Sequence, residues 1–517
     1  MKTFKSTTFD KRAKDLSLEW HVPGISMAVV DGSDIASKGF GHASIEPSKP
    51  CTPGMIFDIA SCSKSLTAAS VALLIADNEN YPHVQWDSKM CDLLPDDFVM
   101  SKEEYTRDIT IEDVLSHRTG LPSHDTSSLG INAGSPDSAQ SVTRNLRNLE
   151  ISAPIRSKWQ YCNMMFTVAT HLIEELTGMT FEEYLHSNFF RLLGMKSSNL
   201  LPSAAKRAGL DDQLATPYSW DRASQTYKTL IWPEDPEAQG AGSITTCVND
   251  YIKYVKTIMN QEGPFTLDVY NGLVTPRIFA SAPWFEQGVL DNDPYTSWTA
   301  YAAGWEVCFY RGHQVVRHDG TISGFTSVHF FLPQFKFGGV FVGNSNNAGT
   351  VAEVLMKELI DDVVGVPKND RVDWNSYVKD REAKADKKEE ERTGDMKKEL
   401  LGDRQLQSQR LPLNAYTGEY WNAGYRGMKL DVKDGQLFID AADRSMSFTL
   451  LFEHVHSQTH YIARLVDHHD STDQDEIKAE FRLEDDKAIK MGLHLEPDLE
   501  NLIWFDKVVS SEVLARR

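Results

Sequence analysis

Ser61-Cys62-Ser63-Lys64 has the residue types and the spacing of an activated nucleophile. A serine hydroxyl is a weak nucleophile at neutral pH and needs a base within hydrogen-bond reach. A lysine three residues on lies one helical turn away on the same face. Burial that lowers its pKa makes it a base. The spacing by itself says little, since about one or two Ser-x-x-Lys matches arise by chance in a chain of this length. There are three, at Ser61, Ser203 and Ser376, and context separates them. Ser61 stands where a strand-like run over residues 55–59 enters a helix over 66–75 that is apolar nearly all round. Lys64 is thereby directed into apolar surroundings, where an unpaired lysine is costly. Ser203 lies in a polar, loop-like stretch and Ser376 precedes a charged run, so both read as accidents of composition.

Tyr161-Cys162-Asn163 is the second candidate. A tyrosine held near a lysine can shuttle protons, and an asparagine can orient it or hydrogen-bond a substrate amide. Tyr420-Trp421-Asn422 repeats the spacing but lies in a strand-rich region, where ordinary strand residues suffice. The third is His318-Asp319-Gly320, which follows a strand-like run over 314–317 and leads into Thr321. Glycine lets a substrate approach a strand closely, and backbone N–H groups on such an edge can hold an oxyanion. A lone His-x-Gly is commonly a surface turn.

Taken in order, the three motifs resemble those of the serine β-lactamase and penicillin-binding-protein superfamily: Ser-x-x-Lys, Tyr-x-Asn and a Lys/His-x-Gly strand. The surroundings agree, with Phe57-Asp58-Ile59-Ala60 before the serine, Leu115-Ser116-His117-Arg118-Thr119-Gly120-Leu121-Pro122, and Gly240-Ala241-Gly242-Ser243-Ile244. The resemblance covers roughly residues 10 to 365 and implies a mechanism. Ser61 would attack an ester or amide carbonyl, and Lys64 and Tyr161 would manage its proton, with either as the base. The N–H groups of Ser61 and Thr321 would hold the oxyanion, and Asn163, His318 and Gly320 would line the substrate's side. No cofactor and no metal is implied. The departure is His318 where a lysine is typical. A neutral histidine offers no fixed charge to a substrate carboxylate. That favours the class C β-lactamase-like esterase, D-aminopeptidase and acyltransferase branches over antibiotic hydrolysis. Residues from Tyr416-Thr417-Gly418-Glu419-Tyr420 through Phe452-Glu453-His454-Val455-His456 resemble a lipocalin-like barrel appended to some related hydrolases.

These motifs must be carried by particular elements. Residues 24–30 and 35–40 read as two strands around an Asp31-Gly32 turn. Helical patterning then dominates to about residue 290, including 111–115, 165–176 and 250–260. Strands return at 304–309, 314–317, 327–332 and 338–342, and 351–363 reads as a closing helix. Strands at both ends with helices between them predict an α/β (α+β) β-lactamase/transpeptidase-like unit, an antiparallel sheet flanked by helices with an all-helical insert, over residues 1–368. In residues 379–399, 16 of 21 residues are charged in mixed sign, which predicts a solvated helix or flexible linker within 369–410. Short alternating runs from 411 to 517 predict a small antiparallel β-barrel that the linker makes separable. Loops over 127–141 and 275–300 are expected to shape the pocket. Asp467-His468-His469-Asp470 reads as a solvated loop rather than a metal site.

Composition bounds the partners. The 517 residues carry 53 Lys and Arg against 74 Asp and Glu, a net charge of −21. That excess argues against nucleic acid and against anionic lipid, leaving a small-molecule or peptide substrate. No apolar run is long enough for a membrane span. A charged, polar first 20 residues and six scattered cysteines predict a cytoplasmic protein. An acyltransferase would share every motif, and a catalytically silent binding protein on the same fold is the alternative from another class. Oligomeric state is not readable from these features.

Overall fold

The computed structural model describes residues 1–280, 293, 295–472 and 474–508. Half of the 275–300 segment expected to shape the pocket lies outside the described residues. Helix α1 (Thr7–Glu19) is N-capped by the Ser6 side chain, which accepts from the Phe9 N–H. Strands β1 (Gly24–Asp31) and β2 (Asp34–Ser44) form the expected hairpin. Helix α2 (Ser63–Ala76) carries the nucleophile motif into the interior, with twelve of its residues buried. It packs against α3 (Asn163–Thr177), which ends in a left-handed Gly178 cap. Helix α4 (Val248–Asn260) completes this layer.

The second half of the sheet follows: β3 (Glu306–Tyr310), β4 (His313–Ile322), β5 (Phe325–Leu332) and β6 (Phe337–Gly343). Helix α5 (Ala348–Val363) closes it. The nine-stranded antiparallel sheet has its N-terminal hairpin inserted against its C-terminal strand, with Ile25 opposite Gly343 and Asp31 opposite Phe337. Its two faces are both covered. Ile25, Met27 and Val29 meet α1 and α5, while Ala28 and Val30 belong to the core on the α2 and α4 side. Covering both faces explains why β5 and β6 are buried at every residue.

Two local expectations change. Of residues 55–59, only Phe57–Asp58 are strand, paired with Ile244–Thr246 in a three-stranded sheet that also takes Asn199–Leu200. The His318-Asp319-Gly320 motif does not follow a strand but lies within β4. Strand β3 pairs with His313 to Arg317 and stops there, so residues 318–322 present an open edge toward α2.

The charged run is the helix α6 (Trp374–Leu401). Its first turns are docked: the Trp374 indole N–H donates to Asp361 at 3.0 Å and Arg381 pairs with Glu353 through two bonds of 2.9 and 2.6 Å. Beyond it, eight strands close into an antiparallel barrel, sealed where Tyr420 meets Lys507. Of these, Lys487–Leu493 carries a weak sequence signal because its lysines and a glycine are poor strand residues.

The barrel is not a detached appendage. One apolar cluster runs from Phe57 and Leu66 through Leu146 and Leu149 to Tyr425 and Phe505. Asn145 donates to the Gly424 carbonyl at 2.9 Å, and the Gly130 N–H donates to the Asp443 carbonyl at 2.9 Å. Among the described residues no helix is long and apolar enough to cross a membrane. Deleting residues 411–517 is expected to uncover Leu146 and Leu149, giving dye-binding apolar surface and a lower Tm. A soluble 1–410 fragment with the Tm of the full chain would show instead that the two parts fold separately.

Candidate active site

Asp58 shapes the entrance to α2. Its Oδ1 accepts the Ala60 N–H at 2.7 Å, in a turn where Ala60 takes φ 44°. A non-glycine residue holds that conformation only when its surroundings impose it. The turn presents Ser61, half-buried, at the start of the helix. Lys64 is fully buried one turn later, with Nζ 3.1 Å from Ser61 Oγ, 2.7 Å from Asn163 Oδ1 and 2.8 Å from the Ala241 carbonyl. Burial lowers its pKa to about 7, against the opposing pull of Asp125. The neutral amine has two hydrogens and one lone pair. Asn163 and Ala241 offer only acceptors, so both hydrogens are committed to them and the lone pair is left for the Ser61 hydroxyl.

Tyr161 and Asn163 reach the site through one short segment before α3. His117, itself at φ 58°, anchors that segment: its Nδ1 accepts the Cys162 N–H at 3.0 Å and its carbonyl accepts the Gln160 N–H at 2.8 Å. The Tyr161 ring packs on His117 at 4.3 Å and beside Trp159 at 5.8 Å, with Lys64 Nζ 4.7 Å from its centroid. Burial holds the phenol well above its usual range, with the Ser61 side chain drawing the other way. Asn163 turns its amide N–H groups to Asp125, at 3.2 and 3.3 Å from the two carboxylate oxygens. Burial raises Asp125 to about 6. The sequence reading did not single out Asp125 or His117 as site residues. The available signal was the Gly120-Leu121-Pro122 stop, which delivers the chain to the site three residues later.

The open edge of β4 lies against the nucleophile turn. A Cβ on Gly320 would fall 2.6 Å from the Ile59 carbonyl oxygen and 2.7 Å from the Ser61 nitrogen, so only glycine permits this approach. Thr321 lines the cavity in front of Ser61. His318 is not among the residues that line it. It is 2% exposed, its Nδ1 donates to the Asp319 carbonyl at 2.5 Å, and its Nε2 is left to accept the Tyr301 hydroxyl at 2.8 Å. Burial lowers its pKa, so the ring is neutral.

The cavity at Ser61 measures about 310 Å³. The barrel builds part of it through Ser445, Met446, Asp467, His469 and Asp470. The expected solvated loop is therefore a wall: Asp470 is 2% exposed and its Oδ1 accepts from the Thr472 N–H and hydroxyl at 3.0 and 2.6 Å. Among the described residues no group of three His, Cys, Asp or Glu side chains is placed to hold a metal ion. The other motif copies serve the fold. Ser203 opens the short helix Pro202–Arg207, Ser376 donates to Asp373 at 2.8 Å in the first turn of α6, and Tyr420 is buried in the barrel with its hydroxyl on the Tyr416 carbonyl. A second cleft, lined by Glu182, His186 and Phe190, shares no residue with the Ser61 cavity.

Comparison with known proteins agrees with this arrangement. Residues 9–360 match the family model described as Beta-lactamase, and residues 404–507 match a domain of unknown function (DUF3471). The chain is 35% identical over 506 residues to the unguisins hydrolase of Aspergillus campestris, covering 94% of this chain and 89% of that one. It is 34% identical over 464 residues to the unguisins hydrolase of Aspergillus violaceofuscus, covering 86% and 81%. The octameric penicillin-binding protein homologue from Pyrococcus abyssi superposes with a TM-score of 0.59 at 18% identity, covering 98% of this chain and 100% of that one. The D-amino acid amidase of Ochrobactrum anthropi SV3, complexed with L-phenylalanine amide, gives a TM-score of 0.55 at 19% identity over 69% of this chain and 99% of that one. The chain therefore belongs to the beta-lactamase family of penicillin-binding-protein-like serine hydrolases, and it is a hydrolytic enzyme.

Proposed function

We propose that the enzyme cleaves an amide or ester by transferring its acyl group to Ser61 and then to water. The observation that carries this reading is the buried Lys64, whose Nζ lies 3.1 Å from Ser61 Oγ with Asn163 and Ala241 as its other partners. Lys64 takes the Ser61 proton as Oγ bonds to the substrate carbonyl carbon. A pKa near 7 suits a general base at neutral pH, whereas Tyr161, raised by burial, keeps its proton. Tyr161 therefore serves as the donor that passes a proton to the departing amine or alcohol, and recovers one from Lys64. The N–H groups of Ser61 and Thr321 hold the carbonyl oxygen as it becomes negative. Water, with Lys64 again as base, then releases the acid and frees Ser61.

Amides are favoured as substrates by the likeness to a hydrolase and an amidase. Charge narrows the class further. Asp125, Asp235, Glu237, Asp467 and Asp470 line the cavity, burial favouring the neutral form of the first three, and among its described lining residues there is no Lys or Arg. With His318 neutral and set back, a substrate carboxylate has no cation to meet. A cytoplasmic setting fits six unpaired cysteines, five of them buried.

Intact-mass measurement with a neutral amide, a small ester and a carboxylate-bearing β-lactam tests the reading. An acyl adduct on Ser61 from the first two, weak reaction with the third, and none in Ser61→Ala is expected. Full labelling of Ser61→Ala by a fluorophosphonate would overturn it. An added amine acceptor in the same experiment separates hydrolysis from acyl transfer.

The protonation state of Lys64 fixes the direction of the pH profile. Below about 7 the ammonium has no lone pair, so kcat/KM should fall as pH drops through about 7. Lys64→Ala should cost about 10²–10⁴-fold in rate and remove that limb. An unchanged limb would assign it to another group.

Gly320→Ala tests the strand edge. Its Cβ would push β4 from the Ser61 nitrogen, so kcat should drop by about 10²–10³-fold, the usual cost of one lost oxyanion donor. Wild-type turnover in this variant would remove β4 from the oxyanion role.

A further inference from the structure

We infer that Glu496, on the barrel loop between Lys487–Leu493 and Ile503–Lys507, is a positioning residue that holds the turn carrying Asp125 so that Asp125 can orient Asn163 against Lys64. The inference rests on the reading of Lys64 as the base. Glu496 is 3% exposed and reaches out of the barrel into the catalytic part. Its Oε2 accepts the Ser123 hydroxyl at 2.8 Å and the His124 N–H at 2.7 Å, and its Oε1 accepts the Asp498 N–H at 3.1 Å.

The turn so gripped does not hold itself. His124 is a buried non-glycine residue in the left-handed region, φ 48° and ψ 30°. That conformation persists where neighbours over-determine it, and two of its four hydrogen-bond partners come from the barrel, the others being Glu150 and Ser127. One of the barrel pair is Glu496. The other is Tyr425, whose hydroxyl lies 2.7 Å from His124 Nδ1; Nε2 lies 2.8 Å from the Glu150 carbonyl. A carbonyl only accepts, so Nε2 carries the proton, and Nδ1 accepts from Tyr425.

The next residue is Asp125, and from it the bonds run without a gap to the nucleophile: Asp125 to Asn163, Asn163 to Lys64, Lys64 to Ser61. Charge travels the same route. The groups facing Lys64 are Asp125, Tyr161, Cys62, Cys162, His117 and His318. Asp125 is faced by Lys64, Glu496, Tyr161, Tyr425 and Cys162. Glu496 is faced by His124, Tyr425, Asp125 and Cys162. Burial is the main cause that raises Asp125, and repulsion from Glu496 adds to it.

The test compares Glu496→Ala, Glu496→Gln and Tyr425→Phe in the full chain, with p-nitrophenyl acetate as probe. Glu496→Ala should lower kcat about 10–100-fold while KM stays within about twofold, because Glu496 touches no substrate. Glu496→Gln keeps an acceptor for Ser123 and His124, so it should recover most of kcat. Tyr425→Phe should lower kcat with KM likewise unchanged. In an Asp125→Asn background the effect of Glu496→Ala should largely vanish, since coupled residues are not additive. Wild-type kcat in Tyr425→Phe, or a Glu496→Gln variant no more active than Glu496→Ala, would overturn the inference, and the first outcome does so even if Glu496→Ala does not fold. Loss of activity that is additive with Asp125→Asn would overturn it too. If Lys64→Ala keeps wild-type turnover, the fault lies with the assignment of the base rather than with Glu496.

Discussion

The site depends on one unfavourable burial. Taking the Lys64 ammonium out of water is costly, and its pKa falls from 10.5 to about 7 as a result, a difference of order 5 kcal/mol. The fold accepts that cost because the neutral amine has a full set of partners. Ala241 and Asn163 take its hydrogens and Ser61 meets its lone pair. Every element around the site can be read as serving this arrangement. Helix α2 has no polar face because it must enclose the lysine. The 240–244 segment supplies a carbonyl. The segment anchored by His117 fixes both Tyr161 and Asn163.

Much of this was legible in the sequence, and the limits of legibility are physical. Ser61, Lys64, Tyr161 and Asn163 could be found because each sits at a fixed offset within a short motif, beside a change of hydrophobic period. Central strands could be found because both their faces are buried. Asp125 escaped because its importance is purely spatial: nothing local in Ser123-His124-Asp125 distinguishes it from an ordinary polar loop. His318 was found as part of a motif, but the motif does not say toward which side of an edge strand a side chain turns. Asp470 was misread for a similar reason. A polar stretch looks solvated until another part of the chain covers it.

The barrel illustrates the same point on a larger scale. A run of mixed charge suggested a tether between independent parts, and α6 is indeed mostly solvated along its middle. Yet the tether says nothing about what the tethered part touches. The barrel shares an apolar core with the catalytic part, lines its cavity and grips one of its turns. A domain without a chemical motif of its own thereby has several points of contact with the chemistry.

The pairing of β1 with β6 has a consequence for synthesis. Ile25 pairs early with Phe40, but it finds its second partner only when Gly343 exists, more than three hundred residues later. Such distant pairings are slow to form, and chains of this size emerge over tens of seconds. The nucleophile leaves the ribosome early, but the strand edge that faces it comes near the end of the sheet, and Glu496 later still. The nascent chain therefore carries a serine and a lysine with no site around them, and it acquires hydrolytic competence only as the sheet closes. The order of the strands makes the enzyme inert for most of its own translation.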